Sequence, residues 1–312
     1  MSDTGWSCTA CRFAARSHDR LSRELLVQLG TMSKPRQPGW PRAVAILAGF
    51  LTLTLPLMPV QALFLAINHR KWTRAFPHWY HRQVCRLLGI RLHIDGELAK
   101  GAVLLVSNHS SWLDIPVVSA VAPVSFVAKR EVSTWPLVSW LARLQRSVFV
   151  DRQRRTAVGE VAGEIFERLT SGDVLVLFAE GTSSDGNRVL PFKTSLFAAA
   201  KPSKAVADTS PAPGIYVQTL AVVYTHLHGV PLARSERPLV GWYGDMELAS
   251  HAWRLLAAGP LDAHIRIGPP VPLETFSDRK ALARYSEGEV RTSVASLLRG
   301  SSTDARAAKV TR

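Results

Sequence analysis

Apolar residues in this chain fall into one long block followed by a series of short ones. The long block, Ala43 to Ile67, is 25 residues without a charge, more than the roughly 18 to 20 that reach across the hydrocarbon core of a bilayer. Pro56 and Pro59 lie near its middle. A proline inside a helix removes a backbone donor and crowds the preceding turn, at about 3 kcal/mol, so the block is expected to kink or turn back there, as two short helices dipping into one leaflet rather than one kinked span. The later runs have strand length: Arg91–Asp95, Ala102–Val106, Val124–Ala128, Val174–Phe178, Tyr216–Tyr224 and His264–Ile267. Between two of them, Ala157, Val158, Val161, Ala162, Ile165, Phe166 and Leu169 recur at helical spacing. Gly172 then stands where a left-handed residue closes a helix. Strands alternating with helices predict an α/β layered domain, a mixed sheet flanked by helices, behind an N-terminal membrane-embedded helical element.

This division gives a polar, basic tail over 1–42, a membrane-embedded segment with its linker over 43–82, a main α/β domain over 83–299 and a mobile tail over 300–312. The stretch Lys201 to Gly214, rich in Pro, Ala and Ser, reads as a loop or insertion. With 38 Lys and Arg against 24 Asp and Glu, the net charge is +14, which points to an anionic partner, nucleic acid or a membrane surface. The 43–67 block decides for membrane lipids, and no basic, aromatic-interleaved motif of a nucleic-acid reader is present. Basic residues flank the block on both sides, Lys34, Arg36 and Arg42 before it and Arg70, Lys71 and Arg74 after it. Both ends on the cytoplasmic face satisfy both clusters. A secretory signal is not expected, because the apolar run begins only after 42 largely polar residues. Three cysteines give no disulfide framework; Cys8-x-x-Cys11 lacks a second pair and Cys85 reads as a packing residue.

The candidate chemistry begins at the end of the 102–106 run. There Asn108-His-Ser-Ser-Trp-Leu-Asp114 brings an imidazole and a carboxylate together, where catalytic groups tend to sit in α/β sheets. Imidazole titrates near neutrality and can take a proton from a hydroxyl if a partner fixes its tautomer. Asp114 can be that partner; equally, it can be an N-cap for a helix opening at Ile115-Pro116. His78-x-x-His81 and His226-x-His228 are metal ligands on paper only, since the first pair follows the apolar block among aromatics and the second ends a strand without a carboxylate or cysteine nearby, and no metal is expected. There is no G-x-S-x-G, G-x-G-x-x-G or Walker loop, which removes the usual serine-hydrolase, dinucleotide and P-loop readings.

Three further motifs follow in order: Phe149-Val-Asp-Arg152, Glu180-Gly-Thr182 and Pro191-Phe-Lys193. With His109-x4-Asp114 they resemble the lysophospholipid acyltransferases of glycerolipid synthesis, the 1-acylglycerol-3-phosphate acyltransferase type, over about residues 85 to 270. The resemblance implies an acyltransferase domain and a membrane-bound enzyme that moves a fatty acyl group from acyl-acyl carrier protein or acyl-CoA to a lysolipid hydroxyl, without a cofactor. It implies His109 as general base and Asp114 as its orienting partner. Arg152, Glu180, Gly181, Thr182 and Lys193 become acceptor-binding residues, with Lys129 and Arg188 as additional candidates. The expected location is the inner membrane with the catalytic domain in the cytoplasm. Lysophosphatidate is the first expected acceptor and lyso-ornithine lipid the alternative; a membrane-docked binding protein with a dead site is the remote one. Ala179, Ser183, Thr194 and Thr219 depart from the family pattern, where Pro, Arg, Lys and Pro are common. The run from Glu180 to Lys193 is similar to that of bacterial lyso-ornithine lipid O-acyltransferases, whose acceptor carries a carboxylate and no phosphate.

Overall fold

The computed structural model describes residues 39–150, 155–198 and 214–300, with side chains except over 155–162. Arg152, Cys8, Cys11, the 201–213 insertion, residues 1–38 and residues 301–312 lie outside the described residues, and the expected tail boundary at 42 falls inside the first helix. The elements run α1 (Trp40–Ala66), α2 (Arg70–Leu88), β1 (Ile90–Asp95), β2 (Val103–Ser107), α3 (Asp114–Val121), β3 (Ser125–Lys129), α4 (Val138–Leu144) and β4 (Val148–Val150). They continue with α5 (Arg155–Thr170), β5 (Val174–Phe178), β6 (Tyr216–Leu227), β7 (Val230–Pro231), α6 (Leu248–Ala258), β8 (Leu261–Ile267), β9 (Val271–Pro272) and α7 (Arg279–Leu298).

One sheet of order β1-β8-β6-β2-β5-β3-β4 organises them, with short β7 and β9 pairing to β6. It is mixed. β2, β3, β4, β5 and β6 are mutually parallel along that path, and β8 reverses direction against β6. The central strands are buried on both faces, which is why their sequences read as nearly continuous apolar runs. Val103 and Leu105 of β2 pack to one side with Val84 and Leu88 of α2, Val117 of α3 and Leu255 of α6. Leu104 and Val106 pack to the other with Ile165 and Leu169 of α5 and Leu282 and Val290 of α7. Of the helix stripe expected before Gly172, Ile165 and Leu169 are buried and Phe166 is half-buried, and Gly172, at φ 79°, ends α5 with its N–H on the Leu169 carbonyl at 2.8 Å.

The N-terminal helices correct one expectation. α1 does not break at its prolines; it runs unbroken through Pro56 and Pro59, and the chain turns instead at Ile67–His69, where Asn68 takes φ 51°. Both prolines are exposed at the helix surface, as are Thr52 and Leu55, the residues whose carbonyls the prolines deprive of a helical donor. α2 then returns antiparallel to α1. The Thr54 and Tyr80 hydroxyls share a hydrogen bond of 2.7 Å, Gln61 Nε2 donates to Thr73 O at 3.2 Å, and Phe64 stacks on Trp72. Both ends of α1 are tied to the α/β domain. Arg42 donates to the carbonyls of Leu88 and Leu256, and Gln61 Nε2 donates to Leu144 O at 2.9 Å. Residues 82 and 83, the expected domain boundary, fall inside α2, which carries Cys85 into the core.

Candidate active site

β2 and β5 are parallel neighbours with Ser107 opposite Phe178, so Asn108-His109 and Ala179-Glu180 leave the sheet side by side at the carboxyl ends of their strands. Asn108 is held against β6 by a reciprocal pair, Nδ2 to Val222 O and Val222 N to Oδ1, each 2.9 Å. This fixes the backbone just ahead of His109. The imidazole lies flat on the Phe178 ring, with centroids 4.2 Å apart and planes at 19°.

His109 Nδ1 is 2.8 Å from Asp114 Oδ2. A carboxylate only accepts, so Nδ1 carries the proton and Nε2 presents a lone pair; among the described residues Nε2 has no partner, and the side chain keeps 18% exposure. Asp114 is fully buried. Its charge is met by donors from three directions: Oδ2 also accepts from Ser110 N at 2.7 Å and Ser111 N at 3.0 Å, and Oδ1 accepts the Tyr224 hydroxyl at 2.8 Å. The N-cap alternative therefore falls. Asp114 is the first residue of α3, the position before it makes no side-chain cap, and its carboxylate reaches back to the turn rather than forward into the helix. Burial, reinforced by the Asp114 charge, pushes the Tyr224 phenol well above its ordinary range, so it stays a donor.

Glu180 takes a different position from the expected acceptor-binding one. It is 1% exposed, and both carboxylate oxygens are occupied: Oε1 accepts His109 N at 2.8 Å and Oε2 accepts Leu190 N at 2.9 Å. It clamps the His109 backbone to the 181–190 loop and offers no free oxygen to a ligand. Burial pushes its carboxyl up to about 7, against the downward pull of those two N–H groups. Gly181, at φ 70°, closes the turn with its own N–H on Phe178 O at 3.1 Å, so that amide is already engaged. Thr182, Arg188 and Lys193 are exposed on the same loop, and Lys129 is exposed at the end of β3. Ser183, at the position of the family's arginine, donates its hydroxyl to Trp242 O. Trp242 N in turn donates to Ser110 O at 2.8 Å, so residues after β7 are stitched to the turn that carries His109 and Asp114.

Tyr224, Phe178 and Asn108 belong to the site, although no motif in the sequence marks their roles. Tyr224 stands at the end of the Tyr216–Tyr224 strand run, where a hydroxyl among Val and Leu is the available signal. Of the histidine pairs, His78 and His81 bond to the carbonyls of Ser119 and Pro77 and His228 to that of Ala258, while His226 shares a hydrogen bond with Thr225.

The sequence matches the Acyltransferase family over residues 89–223. It is 48% identical over 263 residues to a lyso-ornithine lipid O-acyltransferase of Brucella abortus, covering 84% of this chain and 97% of the relative. A protein of the same name from Rhizobium meliloti is 41% identical, with 85% and 90% covered. A 1-acyl-sn-glycerol-3-phosphate acyltransferase of Neisseria meningitidis is 31% identical over 62% of this chain and 69% of its own length. Among solved structures, the 1-acyl-sn-glycerophosphate acyltransferase of Thermotoga maritima shares the fold, with a TM-score of 0.56 at 20% identity, over 82% of this chain and 94% of that one.

Proposed function

Because the chain belongs to the acyltransferase family and is itself a lysolipid acyltransferase, we propose that it acylates the hydroxyl of lyso-ornithine lipid at the cytoplasmic face of the inner membrane. His109 acts as general base and Asp114 as the group that orients it. The reading of the chemistry is carried by one observation, the Nδ1-protonated His109 on a buried, four-donor Asp114 with Nε2 left open. Nε2 takes the proton of the acceptor hydroxyl as its oxygen attacks the thioester carbonyl. The tetrahedral adduct then collapses, the C–S bond breaks, and the departing thiolate recovers the proton from the imidazolium. No acyl-enzyme is needed, and Asp114 stabilises the transient imidazolium as in other His-Asp pairs. Acyl-acyl carrier protein or acyl-CoA serves as donor.

Two features support the acceptor. Identity is higher to the lyso-ornithine lipid enzymes than to the neisserial one, over more of their length. Ser183, whose hydroxyl is used internally, and Thr194 leave the acceptor loop with fewer cations than the family pattern. A phosphate monoester carries about −1.5 to −2 charges near neutrality, whereas an ornithine head combines one carboxylate with one ammonium. The neisserial resemblance keeps lysophosphatidate as the second acceptor, with Arg152, Arg188 and Lys193 as the groups that would meet its phosphate. The deciding measurement offers the purified enzyme one thioester donor with equal amounts of lyso-ornithine lipid and lysophosphatidate. Initial rates are expected to favour the ornithine acceptor by ~10-fold or more, about 1.4 kcal/mol in transition-state terms; equal rates, or a preference for lysophosphatidate, refute the acceptor assignment.

A further inference from the structure

A small cleft beside the turn that carries His109 is lined by Asn108, Ser110, Tyr224, Arg188 and Arg237 among others. Arg237 begins the short 3-10 turn Arg237–Leu239, beyond the stretch that matches the family and outside every motif read from the sequence. It is half-buried, and its guanidinium makes no ion pair with any described residue. Nη1 donates to Asn187 Oδ1 at 3.1 Å, while Nε is buried with no hydrogen-bond partner. Asn187 is oriented in turn by Asp185, which accepts its Nδ2 at 3.2 Å and its backbone N at 3.0 Å. The Asn187 oxygen therefore points at the arginine by necessity, because its amide nitrogen is occupied. A cation anchored through Nη1, with Nη2 also making no hydrogen bond to a described residue, keeps donors in reserve for a further acceptor. A carboxylate satisfies such a fork with two parallel bonds.

We propose that Arg237 binds the anionic head group of the acceptor lipid, the carboxylate of lyso-ornithine lipid, and thereby sets acceptor specificity from a position the family motifs do not reach. This rests on the acceptor reading above. The position suits that role: Trp242, five residues on, hydrogen-bonds Ser110 of the catalytic turn and accepts from Ser183, so the loop that carries Arg237 is anchored to the turn that carries His109. The same loop meets Ser183, which stands where the family pattern has arginine, through Trp242.

The test compares the full-length enzyme with Arg237→Gln and Arg237→Lys on lyso-ornithine lipid and on its carboxyl methyl ester, using whichever thioester donor supports turnover of the unaltered enzyme. The unaltered enzyme is expected to favour the acid over the ester. Arg237→Gln should raise KM for the acid roughly 10- to 100-fold, the range of a charge-assisted contact, with kcat and the ester reaction much less affected, and Arg237→Lys should recover part of the loss. Thermal unfolding checks that both variants fold. An equal loss on acid and ester, no loss on either, or an unaltered enzyme indifferent to esterification each overturns the inference. If the unaltered enzyme does not acylate lyso-ornithine lipid at all, the proposed acceptor fails. The role of Arg237 is then decided separately by lysophosphatidate against uncharged monoacylglycerol: selective loss on the phosphate keeps Arg237 as the anion-binding group, and parallel loss removes it.

Discussion

At the scale of single residues, the site is a carboxylate-braced imidazole, and each brace has a measurable consequence. His109→Ala is expected to remain folded and to lose acyl transfer by at least ~100-fold, the usual reach of a general base. Asp114→Asn should be nearly as damaging, because an amide cannot both accept from Nδ1–H and satisfy the Ser110, Ser111 and Tyr224 donors. Full turnover by either purified variant would remove the base assignment. Glu180 makes a different kind of test. Its carboxyl titrates at about 7 in the fold, against 4.5 for an ordinary glutamate. Below the lower value both folded and unfolded chains hold the proton. Between the two the unfolded chain releases it while the folded chain keeps it, so this group's contribution to stability falls as pH rises, by about 1.4 kcal/mol per unit at most, and is fully lost above about 7. Glu180→Gln stays neutral throughout and cannot accept from both backbone N–H groups. The stability gap between the unaltered protein and Glu180→Gln, measured by denaturant unfolding, is therefore expected to shrink by roughly 2 kcal/mol from about pH 5 to about pH 8. A gap that is constant or widens with pH shows that Glu180 does not hold its proton in the fold. These two carboxylates also mark how far the sequence carries. His109 and Asp114 are legible because five residues of one turn bring them together. The inward turn of Glu180 is not, because its partners are the N–H groups of His109 and Leu190, supplied by separate segments. Tyr224 and Arg237 stay hidden for the same reason: the first meets Asp114 across 110 residues, and the second reaches the site only through the loop packing around Trp242.

At the scale of elements, strands are the most readable feature because burial on both faces leaves their sequences almost purely apolar. The α1–α2 hairpin departs from its expected geometry: proline predicts a break on local cost, yet packing against α2 and the α/β domain holds one continuous helix. That packing uses only part of α1. Trp40, Val44, Leu47, Leu51, Leu55, Leu63 and Ile67 remain exposed at three- to four-residue spacing or multiples of it, an apolar stripe facing away from the protein. Arg42 and Gln61 pin the helix at both ends, so the stripe lies along the domain, and burial in a lipid surface is the expected use of such a face. The double variant Leu55→Lys with Leu63→Lys should keep its melting temperature within a few degrees while losing binding to uncharged phosphatidylcholine vesicles by ~100-fold or more, since each buried leucine contributes about 1.5 to 3 kcal/mol. Ile46→Lys, on the inward side at 6% exposure, should unfold instead. Unchanged vesicle binding by the double variant would assign the attachment to another surface.

At the scale of the whole molecule, attachment and chemistry are connected by direct packing. α2 lies against α3, with Cys85 Sγ on Pro116 O at 3.5 Å and His78 Nδ1 on Ser119 O at 2.7 Å, and α3 begins at Asp114 itself. α6 meets α1 through the Arg42–Leu256 contact and meets the His109–Asp114 turn through His251, whose Nδ1 accepts Trp112 Nε1 at 3.2 Å. The hairpin with the exposed apolar stripe is therefore one helix removed from His109 and Asp114 on either route, which suits the proposed acceptor, whose hydroxyl is reached while its acyl chain stays in the bilayer. The net charge of +14 adds a long-range attraction to anionic lipid that the stripe cannot provide. The two contributions separate with salt. Raising ionic strength from about 0.1 to 1 M shortens the Debye length from about 10 to 3 Å and leaves apolar burial in place, so the unaltered protein is expected to bind vesicles rich in phosphatidylglycerol at both salts, more weakly at the higher. The Leu55→Lys, Leu63→Lys variant carries still more positive charge and should bind those vesicles at low salt but release completely at high salt. Complete release of the unaltered protein at about 1 M salt, where screening removes the long-range attraction, would make the attachment electrostatic alone and take the membrane-docking role away from α1.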